Sequence, residues 1–158
     1  GDVFRYNIKN KTELGVLAKT FIDAGDLVPD EVTINMLKEE VNKNANTNGI
    51  IFDGFPRTQS QAEALDVFLA EKGEQINGMI ALEVAEDLLV ARLLERGKVS
   101  GRSDDTDESK IRNRFNEYHT KTAVLKDYYN AQGNYFGING VGSIDEITVR
   151  LAEVFDKI

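Results

Sequence analysis

Apolar residues along this chain fall into alternating helix-like and strand-like runs. From Thr12 to Ala24 the residues Leu14, Leu17, Ala18, Phe21 and Ile22 recur at the spacing of one helical face, and Gly25 follows as a C-cap. Asp30 reads as the N-cap of a second helix that carries Val32, Ile34, Leu37 and Val41. Gly49-Ile50-Ile51-Phe52 is short and apolar, as a buried strand is, and ends at Asp53-Gly54-Phe55-Pro56. Ala62, Leu65, Phe68 and Leu69 mark a third helix. A second buried strand is expected over Met79–Val84, a helix from Glu86 to Glu95, and a longer helix from about Glu108 to Ala131. Tyr135–Ile138 reads as a third strand and Ile144–Ile158 as a closing helix. Strand alternating with helix predicts an α/β fold with a parallel sheet, whose sites lie at the carboxyl ends of the strands. No repeat, low-complexity tract or Pro- or Ser-rich linker interrupts the pattern, so a single domain over residues 1–158 is expected. The chain opens on Gly1-Asp2 and goes straight into helix, which predicts an α/β domain without its first strand, from a processed or truncated chain.

Composition narrows the classes. The 158 residues are 41% hydrophobic and 29% charged, which suits a soluble globular domain with a real core. A disordered chain, a disulfide miniprotein and a membrane protein are excluded, since no apolar run approaches the ~20 residues of a spanning helix. With no cysteine there is no disulfide, no Cys-based zinc site and no thiol nucleophile. A single histidine makes a multi-His metal site an unpromising idea. The net charge of −8 argues against general nucleic-acid affinity without forbidding a local basic pocket. No basic-then-apolar leader opens the chain, so the cytoplasm is the expected compartment.

Two stretches carry candidate chemistry. Asp53-Gly54-Phe55-Pro56-Arg57-Thr58-x-x-Gln61 follows a predicted strand, which puts Asp53 at the carboxyl edge of the sheet. Arg57 suits bidentate phosphate recognition, and Gln61 offers the donor and acceptor that read a nucleobase edge. The plainer alternative is a strand-loop-helix corner with a surface arginine. Further on, Arg92, Arg96, Arg102, Arg112 and Arg114 crowd one part of an otherwise acidic chain. Arg92 and Arg96 share a helix face, and guanidiniums converging on one place would suit a polyphosphate. The alternative is a solvated surface with ordinary ion pairs to Glu95, Asp104, Asp105, Asp107 and Glu108. His119, mid-helix, is assigned no role.

The ordered set Gly1-Asp2-x-x-Arg5, Leu27-Val28-Pro29-Asp30-Glu31, Asp53-Gly54-Phe55-Pro56-Arg57-Thr58, Arg92-x-x-x-Arg96, Arg102-x-Asp104-Asp105, Arg112-x-Arg114 and Glu117-Tyr118-His119 resembles the adenylate kinases over essentially the whole chain. The resemblance implies a three-layer α/β/α fold of the P-loop NTPase type and Mg²⁺-dependent phosphoryl transfer between ATP and AMP. It assigns Arg5, Gly54 and Arg57 to AMP and its phosphate, Gln61 to the adenine, and the Leu27-Val28 backbone to the same base. Arg92 would lie near the ATP adenine and phosphates, with the Gly140-Val141-Gly142 loop, Gly142 included, against the adenine. Arg96, Arg102 and Arg114 would clamp the transferring phosphoryl group, Arg96 also touching ATP. Asp53 would hold water ligands of Mg²⁺. The AMP-binding segment would span about residues 2–45 and a short lid loop about residues 97–103, without zinc.

One part of the family pattern is missing from these residues: the first strand, the Gly-rich P-loop ending in Gly-Lys-Gly-Thr, and the first helix. Two readings of function follow. In one the parent protein is an adenylate kinase, monomeric as the family is, and this polypeptide is inactive alone. In the other it is a non-catalytic nucleotide-binding or self-associating fragment. A UMP/CMP kinase is a nearer rival, which Thr58 with Gln61 disfavours. Removing the first strand is expected either to bring Gly49–Phe52 and Met79–Val84 together or to promote self-association through their exposed edges.

Overall fold

A computed structural model describes residues 2–24, 28–100, 105 and 107–158, without the side chains of residues 22–24, 100 and 110. The chain is helix-rich with a small parallel sheet. By its internal contacts it divides into two compact units, Gly1–Glu74 and Gln75–Ile158.

The first unit is built of helices α1 (Asp2–Lys9), α2 (Glu13–Ala24), α3 (Asp30–Lys43) and α4 (Gln59–Ala70). The turn between α1 and α2 is set by polar groups and one glycine. Thr12 Oγ1 accepts from the Gly15 N–H at 3.1 Å, capping α2, and donates to Asn7 Oδ1 at 2.6 Å. Asn7 is buried, and its Nδ2 donates back to the Val3 carbonyl at 2.8 Å, so the buried amide is satisfied within its own corner. A Cβ at Gly15 would stand 2.1 Å from the Asn7 carbonyl oxygen, so the two helices approach as closely as only glycine allows. Ala18, Val32 and Met36 form a core against which Val3, Phe4, Leu14 and Val28 pack. From α4, Ala62, Leu65, Phe68 and Leu69 are buried on the expected face.

The first unit departs from its sequence pattern at two places. Asp30 does not cap α3: the cap is Pro29, and the Asp30 carboxylate makes no cap bond but reaches α4 instead. Pro29 is preset for that place, with φ −57°, and its carbonyl accepts from Val32 and Thr33. The run Gly49–Phe52 forms no strand. Hydrophobicity alone does not make a strand; a ladder needs a neighbour, and none of the described residues pairs with this run. Ile51 is consequently 80% exposed.

In the second unit, β1 (Met79–Glu83) pairs in parallel with β2 (Tyr135–Asn139), Met79 opposite Tyr135 and Glu83 opposite Asn139. Helix α8 (Ile144–Phe155) and helix α7 (Leu125–Ala131) pack against β2, and α5 (Glu86–Ser100) against α6 (Glu108–Glu117). The sheet has two strands among the described residues, not three. The single helix expected over residues 108–131 is broken by a π-helical turn, Tyr118–Thr122, where the Ala123 N–H reaches the Tyr118 carbonyl at 2.8 Å. Thr120 supplies a reason, since its hydroxyl donates to the Asn116 carbonyl at 2.8 Å and competes with the backbone ladder. Helix α5 runs through residue 100, so residues 97–100 of the expected lid loop are helical, and residues 101–103 lie outside the described residues. None of the described helices is long and apolar enough to cross a membrane.

Candidate functional site

The first unit holds a cavity of about 700 Å³. Val3, Phe4, Val28 and Met36 give it an apolar wall, and Asp53, Gly54, Arg57 and Gln61 form a polar edge. An apolar wall with a few convergent polar groups is the usual make-up of a small-molecule site. The edge is shaped by the loop before α4. Gly54 has φ +71°, a conformation that a side chain would strain, and its carbonyl accepts from Arg57 Nε at 2.7 Å. Thr58 Oγ1 caps α4 by accepting the Gln61 N–H at 3.2 Å.

Gln61 is 7% exposed, and both ends of its carboxamide are held. The Arg57 backbone N–H donates to Oε1 at 2.8 Å, while Nε2 donates to Asp30 Oδ1 at 2.7 Å. The other oxygen of Asp30 accepts from Thr58 Oγ1 at 2.9 Å and from Ser60 Oγ at 2.6 Å. Val28, Gly54, Arg57 and Gln61 are thus brought to one cavity. Arg5 is not: it sits on α1 in an ion pair with Asp2 and does not line the cavity. Leu27 lies outside the described residues.

The crowded arginines of the second unit separate into distinct arrangements. Arg96 Nε meets Asp105 Oδ2 at 2.6 Å and Arg114 Nη1 meets Asp105 Oδ1 at 2.9 Å, so one carboxylate joins the two guanidiniums. Asp105 has no exposed surface. The hydrogen bond from Arg96 holds its carboxyl below the usual carboxylate range, assisted by Arg114 and opposed by burial. Arg112 instead pairs with Glu108 and Glu86, and Arg92 Nη1 donates to the Gly140 carbonyl at 3.1 Å. Arg102 lies outside the described residues. His119 is exposed, with Nε2 3.8 Å from Glu86.

Asp105 can approach Arg96 because Gly97 presents no side chain. A Cβ there would lie 2.5 Å from the Asp105 carbonyl oxygen. Replacing Gly97 by Ala in a helix would on propensity alone stabilise by about 1 kcal/mol. The overlap falls on backbone, which cannot rotate away, and overpacking of this kind costs about 1–3 kcal/mol. Gly97→Ala is therefore expected to lower the melting temperature and loosen the Arg96–Asp105–Arg114 bridge, read by calorimetry and by guanidinium Nε resonances. A rise in melting temperature would show that propensity wins.

The Gly140-Val141-Gly142 loop ends β2. Arg150 Nη1 donates to both the Asn139 and Val141 carbonyls at 2.7 Å, beside the bond from Arg92 to Gly140. Gly142 has φ +134°, and a Cβ there would meet Glu146 Oε2 at 2.7 Å. The sequence names Asp105 only among ordinary surface ion-pair partners of the arginines, and Arg150 not at all. The Arg102-x-Asp104-Asp105 spacing was the available signal for Asp105, and none marked Arg150.

Across the sheet, the Tyr135 hydroxyl donates to Glu83 Oε1 at 3.0 Å. Desolvation first, and then the bond to Glu83, push its pKa up to about 12. Because the folded state holds this proton more tightly than an unfolded chain, the stability it contributes is present below pH 10 and lost as pH rises towards 12. Ultraviolet titration should show a late tyrosinate component that is lost in Tyr135→Phe. A full complement of tyrosinate by pH 11 would contradict it.

The family resemblance implies Mg²⁺ as the companion of ATP. The described residues contain no group of three or more carboxylates or histidines able to cage a metal. Asp53 is an exposed carboxylate at the cavity edge, and Asp2 and Glu40 also line the cavity. That donor set fits a contact through water to an ion carried by phosphates, the habit of Mg²⁺, and not a dedicated protein site.

A family model described as adenylate kinase matches residues 1–134, and the chain belongs to that family. It is 60% identical to the adenylate kinase of Flavobacterium psychrophilum over 158 residues, all of this chain and 83% of that protein. The adenylate kinases of Flavobacterium johnsoniae and Bacteroides thetaiotaomicron are 53% and 48% identical over the same 158 residues, again all of this chain and 83% of theirs.

Proposed function

We propose that this chain supplies the AMP site and the arginine clamps of an enzyme that moves a phosphoryl group between Mg·ATP and AMP to give two ADP. The observation that supports this most is the cavity edge, where Arg57 and the doubly held Gln61 stand beside an apolar wall. In this reading a planar base lies against Val28 and Leu27, Gln61 meets its polar edge, and Arg57 binds its phosphate, with Arg5 joining it on leaving Asp2. Arg92 and Gly142 serve the ATP adenine and phosphates. Arg96, Arg102 and Arg114 neutralise charge on the transferring group, and Asp105 keeps Arg96 and Arg114 at a common spacing. Phosphoryl transfer of this type is positioning plus electrostatics and asks for no protein nucleophile. Magnesium bound to ATP would add charge neutralisation, with Asp53 as a partner for its waters.

A UMP/CMP kinase would need a different base edge in the same cavity. The test is ADP formation by the chain preceded by the family's P-loop segment, with AMP, CMP or UMP as acceptor. AMP should be preferred; a much higher kcat/KM with CMP or UMP would overturn the adenine reading. We place the work of this polypeptide in the cytoplasm as a monomer when joined to that segment.

A further inference from the structure

We propose that Asp30 is a specificity-positioning residue: its carboxylate fixes the polarity of the Gln61 carboxamide, so that the site takes a 6-aminopurine nucleotide and refuses a 6-oxopurine one. This rests on the reading of Gln61 as the residue that meets the base.

A glutamine amide is not selective by itself. Turned one way it offers N–H beside oxygen; turned the other way it offers the reverse. Adenine presents an acceptor at N1 and a donor at N6, whereas hypoxanthine and guanine present a donor at N1 and an acceptor at O6. A glutamine that can turn over can serve both.

Here it cannot turn at low cost. Asp30 Oδ1 takes the Gln61 Nε2–H at 2.7 Å, and a carboxylate only accepts. The Arg57 backbone N–H gives to Oε1 at 2.8 Å, and a backbone N–H only donates. Turning the amide would replace both bonds by an oxygen facing a carboxylate and an N–H facing an N–H, in a side chain that is 7% exposed. The clamp is itself fixed, because Asp30 Oδ2 accepts from Thr58 Oγ1 and Ser60 Oγ in the first turn of α4. In the held orientation Nε2 has a second N–H and Oε1 a second lone pair. Together they match N1 and N6 of adenine and oppose the 6-oxo edge.

The two partners contribute differently. The Arg57 N–H belongs to the backbone and is the same in any variant, so Asp30 is the element that a substitution can change. Asp30→Asn keeps the shape but can face Gln61 with either a donor or an acceptor, which leaves only the Arg57 N–H opposed to turning.

The experiment compares binding of adenosine and inosine monophosphates to the 158-residue chain by calorimetry. The unaltered chain should favour AMP, and Asp30→Asn should shrink the AMP-over-IMP ratio at least about tenfold, mainly through tighter IMP. A merely structural loss would weaken both alike and leave the ratio unchanged, which would overturn the proposal. Gln61→Ala separates this from the reading beneath it. If Gln61→Ala also leaves the ratio unchanged, or if the unaltered chain binds neither nucleotide or both alike, the base-reading role of Gln61 fails and the proposal with it. If Gln61→Ala collapses the ratio and Asp30→Asn does not, Asp30 alone is excluded. Should Asp30→Asn not fold, the unaltered chain decides by NMR: Overhauser contacts from the Gln61 Nε2 protons to Asp30 Hβ support the clamp. Contacts from those protons to the Arg57 amide proton, or a second set of Gln61 amide signals, overturn it.

Discussion

Assayed alone, a polypeptide of these 158 residues should form ADP from ATP and AMP at least about 100-fold more slowly than the same residues preceded by the family's P-loop segment. Catalysis by positioned donors is steep in the number of donors: losing a single one aimed at developing charge costs roughly 100- to 1,000-fold in rate. A P-loop aligns the β- and γ-phosphates on several backbone N–H groups and a lysine at once, and no Gly-Lys-Gly-Thr occurs in this sequence. Arg96 and Arg114 remain, bridged by Asp105, and on the proposed reading would still attract a polyphosphate. Attraction without alignment binds but does not turn over. Coupled assays on both polypeptides measure the ratio; turnover within about tenfold would sink the argument.

Arg57→Ala, in the chain joined to the P-loop segment, should raise KM for AMP roughly 10- to 150-fold, the loss of one charge-assisted phosphate contact worth about 1.5–3 kcal/mol. The structure separates this from unfolding. Arg57 touches its own loop through Nε and the Gly54 carbonyl, at an exposed place, whereas the brace that shapes the loop uses the Arg57 backbone N–H and survives the substitution. The melting temperature should therefore change little, and KM for ATP less than about threefold. Steady-state kinetics in both substrates decides it, and equal losses for ATP and AMP would remove Arg57 from the AMP site.

Much of this was legible in the sequence because the signals are local. The face Ala62, Leu65, Phe68 and Leu69 is buried as its spacing predicts, and the corner from Asp53 to Gln61 forms the polar edge of a cavity. What the sequence hid were contacts between distant positions. Asp30 beside a helix start looks like a cap, and nothing in its neighbourhood announces hydroxyl and amide partners 28 to 31 residues on. Asp105 looked like one more surface acid, although it lies buried between two arginines. Gly49–Phe52 misled in the opposite sense: its apolar run speaks for a strand, but strand formation depends on a neighbour that composition cannot supply. The π-turn in residues 118–122 was invisible to a periodicity search, since it shifts the phase of a helix without changing its residue types.

The grip of Arg92 and Arg150 on the carbonyls of residues 139–141 bears on how motion in this molecule can be observed. A loop whose successive carbonyls are held by side chains from α5 and α8 has little independent swing, although Val141 is 42% exposed. A nitroxide or fluorophore attached at position 141 should tumble with its own unit, giving slow anisotropy decay and narrow distance distributions. Paired with a second label elsewhere in Gln75–Ile158, it would turn that rigidity into a ruler: the measured distances would report this unit and not the loop that carries the probe.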